Sequence, residues 1–430
     1  MAKIEFPLNQ VYWYLQSINK IKPLTSDIKT EVVIVGGGMA GLHAAQAFHN
    51  LGAKVVVLEK YFCGAGASGK SSGFITPTSE LGIDHFHAVY GPEKAKEIWN
   101  FTTHGVELIR ANIKKYAIKC DYQDLPTMVL SNSKKAVKNL ENEKKIRDEL
   151  GFEGILRSKE QTRSLVNSDG YYGSLQYGST FGINPTAYVQ ALKDALIEEG
   201  VAIYEETPAI EIMPHAVKTP NGSVSAQQIV LCVDHHLPDF KMLQKLVYHV
   251  QTFIMISSPL TDSQMKKIFP KDRVMAWDTD LIYQYFRPIS ENRFLIGGGT
   301  YLSSFAPFEL YNWSGAYKKL SRYCAKKFPE VKLTFEYMYP GMIGISKDLR
   351  PIAGADQTHP SIYYVTAATG LPWAAALGNY SADHLMNKRT DMDAFFAPDR
   401  SFLIGGFLQT ILRNPISFAL SNLYSTEVRG

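Results

Sequence analysis

The chain's hydrophobic and polar positions set out a first clear block at Glu31, where the apolar run Val32 to Val35 breaks on Gly36, Gly37 and Gly38. An alanine-rich stretch follows, and a second apolar run, Val55 to Leu58, ends on the acid Glu59. Residues 31–60 therefore read strand, tight turn, helix, strand. Further on, Asn184-Pro185 caps a helix whose apolar positions Val189, Leu192 and Leu196 keep helical spacing until Gly200 stops it. Residues 201–212 read strand, turn at Thr207-Pro208, short strand. Residues 217–233 read as a hairpin across Pro220-Asn221-Gly222 that leads into a buried strand from Ile229 to Val233. Residues 279–302 alternate around a polar turn at Ser290-Glu291-Asn292, which predicts an antiparallel hairpin in a second, sheet-based domain. The lysine-rich stretch 92–150 is expected to form solvated helices of that second domain.

Composition adds bounds rather than detail. With 430 residues, 45% hydrophobic and 20% charged, the chain suits two or three folded units of an ordinary soluble protein. Its net charge of +4 is spread without long like-charge blocks, so no nucleic-acid partner is expected. Cys63, Cys120, Cys232 and Cys324 form no CxxC pair, which argues against a disulfide framework and a zinc ribbon and fits a reducing compartment. The first twenty residues carry no signal-peptide pattern, and a cytoplasmic location is expected. No segment reaches the roughly 20 uninterrupted apolar residues of a membrane span. The nearest, 401–424, is broken by Gln409, Arg413, Asn414 and Pro415. It reads as a packed C-terminal helix pair, with contact at a membrane surface as the alternative.

The chemistry begins at the glycines. In Gly36-x-Gly38-x-x-Gly41 the first glycine allows a tight turn, the second lets backbone approach a pyrophosphate, and the third lets helix and strand pack closely. The helix N-terminus then offers free N–H groups to the anion. Glu59, at the end of the next strand, is placed to accept hydrogen bonds from a ribose. The glycine- and serine-rich loop 63–77 comes where a purely NAD-binding domain would continue its alternation, and a second cofactor-hugging loop suits a flavin-bearing ligand.

Three other constellations weigh less. Asp84-His85-Phe86-His87 would set two imidazoles on one face of a strand, but no third ligand follows and no metal is expected. His235-His236 reads as a surface loop with its imidazoles pointing apart. Trp277, Tyr283 and Tyr285 have strand spacing, and both a core role and a cavity-lining role stay open.

These motifs, together with residues 184–212, 283–299 and 341–370, resemble the D-amino-acid oxidase/glycine oxidase superfamily of FAD enzymes, and within it the gamma-glutamylputrescine oxidase type. The resemblance implies a mixed α/β fold, a Rossmann-type FAD domain interleaved with an antiparallel-sheet substrate domain. The FAD domain would take 31–80, 180–245 and 335–395, and the substrate domain 81–179 and 246–334. Residues 1–30 would be an N-terminal extension and 396–430 a helical tail. Gly36, Gly38, Met39, Ala40 and Gly41 would cradle the pyrophosphate, Glu59 and Lys60 the ribose, and Ala209 the adenine through its backbone. Ala67, Ser68, Lys70, Ser71 and Ser72 would line the phosphate and flavin side, with Gly344, Gly370, Leu371, Pro372 and Trp373 closing over the ring. Relatives often carry Gly-His-Gly where this chain has Gly370-Leu371-Pro372, so no role of that histidine carries over. No cysteine stands near Arg350 or Pro351, where sarcosine-oxidase relatives attach flavin covalently, so FAD is expected to bind non-covalently.

The implied reaction is oxidation of a primary or secondary amine, with Tyr283, Tyr285, Ile343 and Trp373 as candidates for the substrate cavity and no catalytic residue named. Where amino-acid oxidases of the superfamily hold a substrate carboxylate with arginine, this chain has Ile343, although Arg287 or Arg350 could reach the pocket from elsewhere. The lysine with which sarcosine-oxidase relatives activate oxygen falls on Leu295, which leaves Lys70 to supply a positive charge and the acceptor as dioxygen or another molecule. A D-amino-acid or glycine-type oxidase or dehydrogenase, an FAD domain that modifies a nucleic-acid base, and a non-catalytic flavoprotein remain as alternatives.

Overall fold

The computed structural model describes residues 10–16, 18–78, 80–299, 314–402 and 404–427. The strand, turn, helix and strand expected at 31–60 are β1 (Ile28–Val35), α1 (Met39–Asn50) and β2 (Val55–Leu58). Val32 to Val35 are almost free of solvent, as in a parallel strand covered on both faces. β1 runs parallel to β2, with Val33 opposite Val56, and parallel to Gly222–Leu231 on its other side. Across the sheet the order is Ile352–Ala355, Ile362–Thr366, Gly222–Leu231, β1, β2, Ala202–Tyr204. Only Ile352–Ala355 runs antiparallel along that path. The hairpin across Pro220-Asn221-Gly222 forms, Ala216–Thr219 pairing antiparallel with Gly222–Leu231. The helix Pro185–Glu198 starts as expected, with the Asn184 side chain accepting from the Ala187 N–H.

A second sheet holds eight strands in the order Phe335–Ser346, Val247–Ser257, Arg293–Gly298, Tyr285–Ile289, Met275–Asp278, Thr127–Leu130, Ser174–Tyr177, Ile155–Arg157. The hairpin around Ser290 to Asn292 lies at its centre, and residues 300–302 of that segment are outside the described residues. One pair departs from the antiparallel expectation: Met275–Asp278 runs parallel to Thr127–Leu130.

The stretch 92–150 is only partly solvated. Helix Ile83–Lys115 buries Ile98, Phe101, Val106 and Ile109 in the same core as α1, so it packs on the first sheet's layer instead of standing in the second unit. Helix Lys134–Leu150 does turn its lysines to water. Asp84-His85-Phe86-His87 lies in the first of these helices, not on a strand, because Ile83 and Phe86 repeat at helical spacing toward the core. The rings of His235 and His236 do not point apart; their centroids are 4.1 Å from one another, since a tight 3-10 turn, Asp234–Phe240, replaces extended loop.

Between the two layers, Arg147 ties a helix to the second sheet. Its guanidinium lies over the rings of Trp99 and Tyr177, 4.3 and 3.9 Å from their centroids, and its Nε donates to Glu143 at 2.9 Å. Arg147→Ala leaves the Glu143 carboxylate buried beside the Tyr177 hydroxyl alone, and should cost about 3–5 kcal/mol in urea denaturation. A loss under about 1 kcal/mol would show that the pair contributes as a surface ion pair does.

Candidate functional site

The turn between β1 and α1 leaves no room for side chains. Gly36 has φ +108°, and a Cβ there would meet the Cys232 carbonyl oxygen; a Cβ on Gly41 would collide with the Gly36 carbonyl oxygen. Gly38 faces Ser68, whose Oγ would lie 3.0 Å from a Cβ. Gly38 caps α1 without any side-chain bond, and of the first-turn N–H groups that of Met39 donates to Ser68 Oγ at 2.9 Å. Ala40 and Gly41 follow in the same first turn, which presents backbone N–H and the positive end of the helix dipole outward. This bare cradle fits a pyrophosphate.

Glu59 sits at the carboxyl end of β2. Its Oε2 accepts the Gly37 N–H at 2.8 Å and its Oε1 the Tyr61 N–H at 2.9 Å, which leaves lone pairs for a ribose. Burial raises its pKa, while the N–H bonds pull the other way. Lys60 is exposed, with its Nζ over the Tyr61 ring at 5.0 Å. Ala209 is half-buried at the end of a segment that runs beside Glu59 to Tyr61, where Glu206 N–H bonds Tyr61 O and Thr207 N–H bonds Glu59 O. The residues expected to hold adenosine thus share one edge of the first sheet.

A cavity of about 690 Å³ opens next to the loop. Ala67, Lys70, Ser71 and Ser72 form one wall; Gly370, Leu371 and Pro372, at the start of helix Leu371–Asn387, form a second; Gly341, Ile343, Trp277, Tyr283 and Tyr285 face them. Ser68 stands behind this wall, bonded to α1. Besides Ser68, two expected members do not border the cavity. Trp373 turns into the core against Phe101 and Phe396, one step round the helix from Pro372. Gly344 gives its N–H to Asp234 Oδ2 at 2.6 Å, on the side of the strand away from Ile343.

Charge in the cavity is uneven. Glu80, Asp84, Asp278, Asp280 and Glu143 border it against Lys70 and Lys135; Glu143 is paired with Arg147, and the charges of Lys319 and Lys327 act on Asp278 and Asp280. Tyr283 donates to Glu80 Oε1 at 3.0 Å. Asp278 accepts from Tyr323 at 2.7 Å, and burial raises its pKa. Neither Arg287 nor Arg350 borders the cavity; Arg350 is engaged by Asp348.

Arg287 has another task, one that sequence reasoning missed. Fully buried, it donates from Nε to Ser72 O at 2.7 Å and from Nη2 to Ile183 O at 2.5 Å, and burial lowers its pKa to about 9. Trp13 Nε1 donates to Ser71 O and Tyr14 OH to Ala65 O, both at 2.9 Å. Tyr12–Leu15 is therefore a strap that grips loop 63–73 from behind, and its signal in the sequence is the aromatic run Tyr12-Trp13-Tyr14. Glu205, buried beside Lys193, holds the loop's start through the Cys63 N–H at 2.7 Å. Leu295 lies in an apolar cluster with Trp13 and Tyr339.

Comparison with known proteins agrees with this geometry. The family model described as FAD dependent oxidoreductase matches residues 31–384. Among curated proteins, the chain is 28% identical over 395 residues to gamma-glutamylputrescine oxidoreductase of Escherichia coli, covering 89% of this chain and 90% of that one. It is 28% identical over 301 residues to the probable oxidoreductase OrdL of Haemophilus influenzae, 66% of this chain and 69% of that one. Solved structures share the fold at low identity. L-proline dehydrogenase from P. horikoshii superposes with a TM-score of 0.73 at 16% identity, over 93% of this chain and 100% of that one. Glycine oxidase from Geobacillus kaustophilus gives 0.71 at 17%, over 87% and 99%.

Gly38→Val should fold yet lose its yellow colour, with FAD affinity down at least about tenfold, or ~1.4 kcal/mol, by fluorescence titration; full flavin retention contradicts the cradle. Ribose hydroxyls donating to Glu59 favour its ionised form, so FAD affinity should fall as pH drops through the raised Glu59 pKa. Glu59→Gln should remove that dependence, and an unchanged profile would place the ribose elsewhere.

Proposed function

Because residues 31–384 match the FAD dependent oxidoreductase model, the chain belongs to that family, and we propose that it oxidises the C–N bond of a primary or secondary amine. Held non-covalently by the Gly36–Gly41 turn, with Lys70, Ser71 and Ser72 beside it, FAD would supply the redox chemistry by taking two electrons and a hydrogen from the C–H beside the amine nitrogen, and the imine so formed would hydrolyse to a carbonyl compound and an amine or ammonia. The protein's own part is to bind, orient and desolvate.

The observation that carries the amine reading is the wall facing the cofactor loop. Among the described residues it combines Trp277, Tyr283, Tyr285 and Ile343 with more carboxylates than lysines, and no arginine borders it. A cationic amine entering there meets aromatic faces and acid charge. A substrate carboxylate would meet Ile343 and like charges, at a cost of several kcal/mol for an unpaired buried ion. The likeness to gamma-glutamylputrescine oxidoreductase supports the same class. Burial pushes the Tyr285 pKa up to about 12, which keeps that hydroxyl neutral at the cavity wall.

Leu295 lies in an apolar cluster and supplies no charge, which in this reading makes dioxygen a slow acceptor; Lys70, at the cavity wall, is the group that would supply the positive charge for a faster reaction. Four free thiols support a reducing, cytoplasmic compartment.

Anaerobic addition of substrate should bleach the flavin spectrum. In steady-state assays, putrescine-type and N-alkyl amines should exceed glycine, sarcosine and D-alanine in kcat/KM by at least about tenfold. A preference for any of the three amino acids would show that another group holds the carboxylate. Glu80→Gln should raise KM for a diamine about threefold to tenfold with kcat little changed, the signature of lost uniform binding.

A further inference from the structure

The C-terminal helix Gly406–Glu427 leaves apolar side chains in water. Phe418 and Ala419 are buried, and so are Gln409, Ser417, Ser421 and Asn422, whereas Phe407 is 78% exposed and Ile411, Ile416 and Tyr424 are each more than half exposed. A helix on a water-facing surface turns such side chains inward and its polar ones outward. The polar side is a real anchorage: Gln409 accepts from Lys347 and donates to Lys245 O, and Asn422 donates to Ser346 O and Lys347 O. The helix breaks at Arg413, φ +60°, into two segments, and each shows an apolar face. Ile416, Leu420 and Tyr424 repeat every fourth residue, and Phe407 and Ile411 do the same in the first segment.

We propose that this helix pair docks the protein on the surface of an anionic lipid bilayer. Charge selects the occupant. Residues 401–426 contain Arg413 and no acid, and beside the first segment lies a hollow of about 480 Å³ bordered by the cations Lys245 and Arg413 against the acid Asp239. An apolar ridge next to a cationic hollow matches acyl chain next to phosphate headgroup. Among the described residues no helix is long and apolar enough to cross a membrane, so the pair lies on the surface. Docking has a consequence for the cavity, because Leu423, on the inner side of the second segment, borders it. The lipid surface then lies about one helix diameter, roughly 10 Å, from the cavity wall. The docking stands whether or not the amine reading holds.

Flotation of the full-length, FAD-loaded protein with phosphatidylglycerol–phosphatidylcholine vesicles tests this, with pure phosphatidylcholine as the neutral arm. The expected result is binding to the anionic vesicles at least about tenfold tighter than to the neutral ones, weakened by salt. Phe407→Ser with Leu408→Ser should reduce it at least about tenfold, while flavin content stays unchanged as the control for folding. Lys245→Glu with Arg413→Glu should abolish the anionic preference. Failure to bind either vesicle overturns the proposal, as does binding that the serine variant leaves intact. A dimer in sedimentation velocity, lost in the serine variant and without vesicle binding, would give the face to a second copy and overturn it as well.

Discussion

The carbonyl oxygen of Gly36 lies so close to the Cα of Gly41 that no side chain fits between them, and the Cys232 carbonyl closes on Gly36 from the neighbouring strand. That contact brings β1 and α1 together at a point, and everything that a cofactor needs is measured from it. Glu59 reaches back to the same turn through the Gly37 N–H, so the acid expected at a ribose and the glycine turn expected at a pyrophosphate are one hydrogen-bonded unit. A position with such backbone approach tolerates only glycine, whatever the rest of the sequence does.

The second half of the site depends on a different device. Loop 63–73 is a run of tight turns with its own backbone bonds, Gly69 N–H to Gly64 O and Lys70 N–H to Gly66 O among them, and it is held from behind by Arg287 from the second sheet and by Trp13 and Tyr14. Burying an arginine with two carbonyls and no carboxylate in contact is costly, which explains its lowered pKa. What this arrangement ties together is the loop and the second sheet, since Arg287 shares its strand with Tyr285 at the cavity wall. The loop and the aromatic wall that faces it are therefore both held by one strand.

Local patterns carried much of this in advance. The glycine turn, Glu59, the helix capped by Asn184 and the two hairpins depend on neighbours within a few residues, and each was legible in the chain. Arg287 and Trp13 were not, because their partners, Ser72 and Ser71, lie far away in sequence. Trp373 was misplaced for a subtler reason: the helix starts at Leu371, and a single further residue of helical rotation turns the indole from cavity to core. Helix Ile83–Lys115 carries enough lysine and glutamate to look solvated, and only its packing against α1's layer shows its apolar side. The carboxylate excess of the cavity, drawn from Glu80, Asp84, Asp278 and Asp280, is assembled from separated loops and strands and has no sequence signature.

The central claim is that this cavity presents an amine's α C–H to a flavin held by the glycine cradle. Anaerobic stopped-flow reduction with an N-alkyl amine and its α-deuterated form tests it most directly. The account predicts that the flavin absorbance bleaches in one substrate-dependent phase that deuterium slows markedly. Absence of bleaching with any amine, or bleaching at the same rate for both isotopologues while an α-amino acid reduces the flavin faster, would contradict it.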